Sequence, residues 1–190
     1  MLKVGVLALQ GAFESHIRIL DSLDIEAIAI RDPEDLDSVD GLVIPGGEST
    51  AISMLLESNL LRKPLEVRLS DGMPVFGTCA GMIMLSSEIL DGREDQRPLG
   101  AIDITVRRNA FGRQIDSFET QLDIKGLGSP FPSIFIRAPI VESVGESVEV
   151  LAKLDDQIVL CGNKTTLVAS FHPELSNDAR IHELFVSMAL

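Results

Sequence analysis

Apolar positions along this chain come in short unbroken runs, separated by segments in which they recur at helical spacing. Leu2 to Leu9 is nearly continuous in apolar residues, the signature of a strand covered on both faces. Gln10-Gly11 ends that run, and Phe13, Ile17 and Leu20, with Leu23 as an extension, then fall on one helix face. Ala27 to Ile30 and Gly41 to Ile44 predict two more strands. The second leads through Pro45-Gly46-Gly47-Glu48-Ser49-Thr50 into a helix reaching Leu56. Pro64 to Leu69 predicts a helix, Met73 to Phe76 a buried strand, and Met82 to Leu90 a further helix. This alternation predicts an α/β fold of three layers, a mostly parallel open sheet with helices on both faces.

After Leu90 the pattern changes. Asp91 to Arg97 is a charged loop. Ile102 to Val106, Phe118 to Ile124, Ser133 to Ile136, Val148 to Leu154 and Gln157 to Cys161 read as strands with few helix signals between them. The C-terminal half is therefore expected to hold an antiparallel, strand-rich portion, with a tight hairpin at Asp155-Asp156. Leu167 to Phe171 is a last apolar strand, ending at His172-Pro173-Glu174. Asp178 can cap a closing helix whose Ile181, Leu184, Phe185 and Met188 share a face. Without a repeat, linker or low-complexity segment, residues 1–190 are expected to form one domain.

Charge narrows the partners. A formal net charge of −13 argues against nucleic acid or an anionic membrane. The two cysteines, Cys79 and Cys161, make no disulfide framework, which favours a reducing compartment. The apolar run Val4 to Leu9 is too short for a signal-peptide core or a membrane span, so a cytoplasmic protein is expected.

Candidate chemistry lies in three loops that follow strands, where open α/β sheets place ligands. Gly77-Thr78-Cys79-Ala80-Gly81 has the spacing of a nucleophile elbow with cysteine as nucleophile. Its glycines would tolerate positive φ and close backbone approach, and the orphan N–H groups of the following helix would favour a thiolate. The alternative is a small buried cysteine. Gly46-Gly47-Glu48-Ser49 can aim backbone N–H groups at an oxyanion, with the amide of Ala80 as a second donor; otherwise it is a strand-to-helix turn capped by Ser49. In His172-Pro173-Glu174, residues two apart on an extended segment share a side, so Glu174 can fix the tautomer of His172. Nucleophile, base and orienting carboxylate are then all present. His16 and His182 read as ordinary, partly exposed helix residues and Cys161 as inert core. No metal-ligand spacing is present, so neither a metal nor a cofactor is expected. Arg107 to Gln114 is rich in polar donors and reads equally as a solvated loop or a binding segment.

The three loops resemble the three signatures of class I, triad-type glutamine amidotransferases. Leu9-Gln10-Gly11-Ala12, Arg108-Asn109-Ala110-Phe111-Gly112-Arg113-Gln114 and Phe135-Ile136-Arg137-Ala138-Pro139 narrow the resemblance to the glutaminase subunits of pyridoxal 5′-phosphate synthase. It implies a flavodoxin-like sheet, Cys79 attacking the side-chain amide of L-glutamine, His172 shuttling the proton and Glu174 orienting it. Gly47 and Ala80 would hold the oxyanion, and Gly47, Glu48, Ser49, Arg108, Ile136 and Arg137 would line the glutamine pocket. Ammonia would pass to a separate synthase subunit, which makes pyridoxal 5′-phosphate from ribose 5-phosphate and glyceraldehyde 3-phosphate in a large ring assembly. One departure stands out: the family usually has Glu immediately before the histidine of the first helix, and this chain has Ser15-His16 with its glutamate at Glu14. That bears on helix packing or partner docking. Rival readings are another amidotransferase subunit, such as that of histidine biosynthesis, a silent regulatory binding module, or a cysteine hydrolase of peptides or esters.

Overall fold

The structure, a computed structural model, describes residues 2–108 and 117–190. In chain order the elements are β1 (Lys3–Leu7), α1 (Phe13–Ser22), β2 (Glu26–Ile30), α2 (Pro33–Leu36), β3 (Gly41–Ile44), α3 (Ser49–Ser58), α4 (Arg62–Ser70) and β4 (Val75–Thr78). They continue with α5 (Ala80–Leu85), β5 (Glu88–Ile89), β6 (Ile104–Arg107), β7 (Ser117–Leu122), β8 (Phe131–Ile136) and β9 (Ile140–Val144). The remainder is β10 (Glu149–Leu154), β11 (Gln157–Gly162), β12 (Thr166–Ala169), a 3-10 turn at Pro173–Leu175, and α6 (Arg180–Ala189).

Among the described residues one sheet runs in the order β2-β1-β3-β4-β12-β11-β9-β6-β5, with β10 paired to β11. The half from β2 to β12 is parallel throughout. From β12 onward the pairings β12–β11, β11–β10, β11–β9 and β9–β6 are antiparallel, and β7–β8 is a separate antiparallel hairpin. The α/β class with an antiparallel C-terminal portion is as the sequence predicts. Asp155 takes φ 51° in the β10–β11 hairpin, as a tight turn requires.

Side chains alternate between two cores. On β3, Leu42 and Ile44 face one core and Val43 the other; on β4, Val75 and Phe76 divide the same way. The first core is closed by α2 to α5 through Leu36, Ile52, Leu56, Leu65 and Met82. The second is closed by α1, α6 and the β7–β8 hairpin through Leu20, Ile181, Phe185, Phe131 and Phe135. Phe76 is fully buried against Phe185, with ring centroids 5.7 Å apart. Removing a ring so placed costs about 3–5 kcal/mol.

Two local expectations are corrected, and two elements were not foreseen. The helix predicted over Met82 to Leu90 is α5, and it stops at Leu85. Ser86 turns extended, its hydroxyl donating to the Ile83 carbonyl at 2.8 Å, and β5 then pairs with β6. Asp178 is not the cap of α6: Ala179 holds that place, while the Asp178 carboxylate accepts from the Arg180 backbone N–H at 3.1 Å. α2 and β9 carry too little periodic signal to be read beforehand, four residues in one case and no clean alternation in the other. No helix among the described residues is long and apolar enough to cross a membrane.

Candidate active site

Because β1, β3, β4 and β12 run parallel, their carboxyl ends open at one edge of the sheet. There the segments 10–12, 46–49, Cys79 and His172 line one cavity of about 490 Å³. Cys79 caps the short helix α5 with φ 50° and ψ −103°, a backbone state that L-residues rarely occupy. The elbow's strain therefore sits on the cysteine, and neither Gly77 nor Gly81 has positive φ. The two glycines serve close approach instead: a Cβ on Gly81 would collide with the Ile44 carbonyl, and one on Gly77 would lie 2.7 Å from the Gly81 carbonyl carbon. Helix α5 can start this close to β3 only without those side chains. Its first intrahelical bond is Ile83 N–H to Cys79 O at 3.2 Å, which leaves the Ala80 N–H outside the helical ladder.

His172 follows β12 and is buried, as is Glu174. Its Nδ1 lies 2.7 Å from Glu174 Oε1. The expected pairing is present, but a 3-10 turn rather than an extended segment brings the two together. Burial disfavours a charged His172; hydrogen bonds to Cys79 and Glu174 and their charges outweigh it and push the imidazole up to about 10. Burial likewise pushes Glu174 up, yet its hydrogen bond to His172 and the imidazoles of His16 and His172 hold it below the usual carboxylate range. The opposite wall is tight, since a Cβ on Gly46 would strike the His172 ring. Cys79 Sγ lies 3.8 Å from the Ile136 carbonyl across the cavity. Cys161 sits apart in the first core, and burial pushes its thiol up to about 12.

The cavity brings together Gly47, Glu48, Ser49, Arg108, Ile136 and Arg137 with Cys79 and His172, while Ala80 and Glu174 stand just behind its wall. Glu48, not Ser49, caps α3: its carboxylate accepts from the N–H groups of Thr50 at 3.0 Å and Ala51 at 2.7 Å. Burial works against that charge, but these backbone donors and Arg108 keep the carboxyl below its ordinary value. Arg108 Nη2 meets Glu48 Oε1 at 3.2 Å, and its Nη1 meets Gln96 Oε1 at the same distance. Arg137 enters the cavity from a backbone at φ 42° between β8 and β9. The motif from Asn109 to Gln114 lies outside the described residues.

Two placements were not anticipated. Gln96, in the charged loop, is buried and orients Arg108, and nothing in its surroundings signals this. Gln10 lines the cavity and its Oε1 accepts from the Glu48 N–H at 2.9 Å; its place after β1 is the legible signal. His16 and His182 correct the expectation of partly exposed residues: both are fully buried against Phe76. Each occupies an inward position of its helix, and burial lowers His16 to about 4 despite the facing charge of Glu174.

A family model described as the SNO glutamine amidotransferase family matches residues 6–190. The chain belongs to that family. The pyridoxal 5′-phosphate synthase subunit PdxT of Rhodococcus opacus (strain B4) is 52% identical over 193 residues, covering 97% of this chain and 96% of that protein. The subunit of the same name from Mycobacteroides abscessus is 55% identical over 185 residues, covering 97% and 96%. A solved glutamine amidotransferase crystal structure superposes with a TM-score of 0.92 at 46% identity, covering 98% of each chain. The resemblance carried by a few short segments thus extends over residues 6–190 of this chain.

Proposed function

We propose that residues 1–190 act as a single glutaminase domain, hydrolysing L-glutamine to L-glutamate and ammonia for a pyridoxal 5′-phosphate synthase. One observation carries this reading: a strained cysteine at a strand-to-helix elbow shares a cavity with an oriented arginine and with His172, itself paired to Glu174. Cys79 sulfur attacks the side-chain carbonyl carbon, and the C=O electrons move to oxygen, held by the N–H groups of Gly47 and Ala80. His172 gives its proton to the departing nitrogen, releasing ammonia and leaving a glutamyl thioester. Water, giving a proton to the now neutral His172, attacks the thioester and frees glutamate and the sulfur. Glu174 holds the tautomer and orientation of His172 throughout. Arg108 and Arg137 take the substrate α-carboxylate, Glu48 and Ser49 flank its other end, and Ile136 closes the wall.

The relatives' shared name supports the ammonia's destination, a separate synthase subunit that condenses it with ribose 5-phosphate and glyceraldehyde 3-phosphate. We extend the reading to a large ring of synthase subunits carrying glutaminases, in the cytoplasm. Dependence on that partner has a local rationale. The Gly46 carbonyl accepts from the Ala12 N–H at 3.0 Å, so the planar peptide turns the Gly47 N–H to the opposite side. The 10–12 loop therefore governs which end of this peptide faces the cavity. Glutamate release is the test: we expect little from the chain alone, a large rise in kcat on adding the cognate synthase, and loss of about 10³-fold or more in Cys79→Ala. Full turnover by Cys79→Ala, or no turnover with any synthase, would overturn the reading.

A further inference from the structure

Glu174 has two carboxylate oxygens, and only Oε1 is taken by His172. Oε2 is buried without a hydrogen-bond partner among the described residues, and the Nε2 of His16 lies 3.5 Å from it. The same Nε2 is 3.2 Å from Thr78 Oγ1, and on the ring's other side Nδ1 is 2.9 Å from His182 Nε2. All three residues are fully buried, and none lines the cavity. Thr78 and Phe76 project from the same face of β4, so the cluster is clamped between that strand, α1 and α6.

Two proton arrangements are available to a neutral His16. If Nδ1 carried the proton, the Nε2 lone pair would face the carboxylate. His182 would then have to accept through its own Nε2 and bury its N–H on Nδ1, an atom with no partner among the described residues. If Nε2 carries the proton, both difficulties vanish. His182 Nε2–H donates to His16 Nδ1, and His16 Nε2–H points at Thr78 and the open oxygen of Glu174. We propose that His16 is a positioning residue for Glu174, fixed in its Nε2–H tautomer by His182. The donor chain then runs from His182 through His16 to the carboxylate that orients His172.

The proposal rests on the reading of Cys79, His172 and Glu174 as the reacting set. The titratable groups facing His16 are Glu174, His172 and His182. Without the His16 N–H at 3.5 Å, Glu174 Oε2 would lose the donor dipole that faces it, and the carboxylate would hold its charge less well. His172 would then be less easily protonated, and the damage would fall on kcat rather than on glutamine binding.

The chain has three histidines, His16, His172 and His182, so ring-15N histidine labelling of the full chain resolves each without crowding. We expect His16 and His182 to be neutral and protonated on Nε2 through roughly pH 5.5 to 8. In His16→Phe, which keeps a ring but no donor, the His172 titration should move down. With the synthase bound, kcat should fall about ten-fold with KM for glutamine unchanged. His16→Gln, which restores an N–H near the Nε2 position, should recover most of both. An Nδ1–H tautomer for His16 in the parent, or a folded His16→Phe with the parent's His172 titration, would overturn the proposal. Should His16→Phe not fold, the parent spectra and the His172 titration in His16→Gln still decide. Absence of glutaminase activity in the parent would sink the proposed function while leaving the tautomers and the titration readable.

Discussion

Gly46 separates the two halves of the site, because a Cβ there would strike the His172 ring and lie 3.4 Å from the Cβ of Cys79. Gly46→Ala should displace the imidazole by a fraction of an ångström to an ångström and cost about 10²-fold in kcat while the chain stays folded. Steady-state kinetics beside far-UV circular dichroism checks this, and parent-level turnover would contradict it. Arg108 and Arg137 should behave differently. The α-carboxylate they would bind keeps its charge through the reaction, so Arg108→Ala and Arg137→Ala should each lose about ten- to a hundred-fold in kcat/KM, mostly through KM. An unchanged KM in both would assign the carboxylate to other groups. Glu174→Gln should cost less than His172→Asn, since the base survives. The pairing of His172 with Glu174 was legible because two residues fix it. The burial of Gln96 was not, because long-range packing onto Arg108 decides it. His16 and His182 are hidden in the sequence for another reason: their helical positions point inward, but a histidine there looks polar until Thr78 and Glu174 are seen behind it.

At the scale of elements, the site depends on how closely α5 can start beside β3. Gly81→Ala would drive a methyl into the Ile44 carbonyl, a backbone atom that cannot turn aside. We expect a loss of about 1–3 kcal/mol, the usual cost of overpacking, seen as a lower urea midpoint with unchanged m. Gly72→Ala makes the control for crowding, since no heavy atom lies within 4 Å of a Cβ there, although its φ of 88° brings backbone strain instead. A Gly81→Ala midpoint above that of Gly72→Ala would argue against the crowding account. The parallel strands were readable because, buried on both faces, they show as unbroken apolar runs. Their order was not, since it depends on β12 returning to pair with β4 across more than eighty residues of chain. The end of α5 was also hidden: Met82 to Leu85 continues smoothly into Ser86-Ser87-Glu88-Ile89, and only the hydroxyl of Ser86 and the β5–β6 pairing halt it.

For the whole molecule, the histidines set opposing slopes of stability with pH. His16 falls from an ordinary 6.5 to about 4 on folding, and His182 also moves well down, both through burial. As pH drops below 6.5 the unfolded chain takes up protons that the folded chain refuses, so stability is lost, on the order of 3 kcal/mol by pH 4 for His16. His172 rises to about 10, so its contribution is complete below 6.5 and lost as pH climbs towards 10. Stability should therefore peak near neutrality and fall on both sides. Urea midpoints across pH test this, and a flat acid limb between about 6.5 and 4.5 would contradict the burial of neutral His16 and His182. In the proposed reaction Cys79 carries the glutamyl group. Quenching the synthase-activated chain in acid during turnover and mapping its peptides by mass spectrometry tests it directly. A glutamyl adduct is expected on the peptide containing Cys79, absent from Cys79→Ala. An adduct on Cys161, or steady glutamate release by Cys79→Ala, would contradict it.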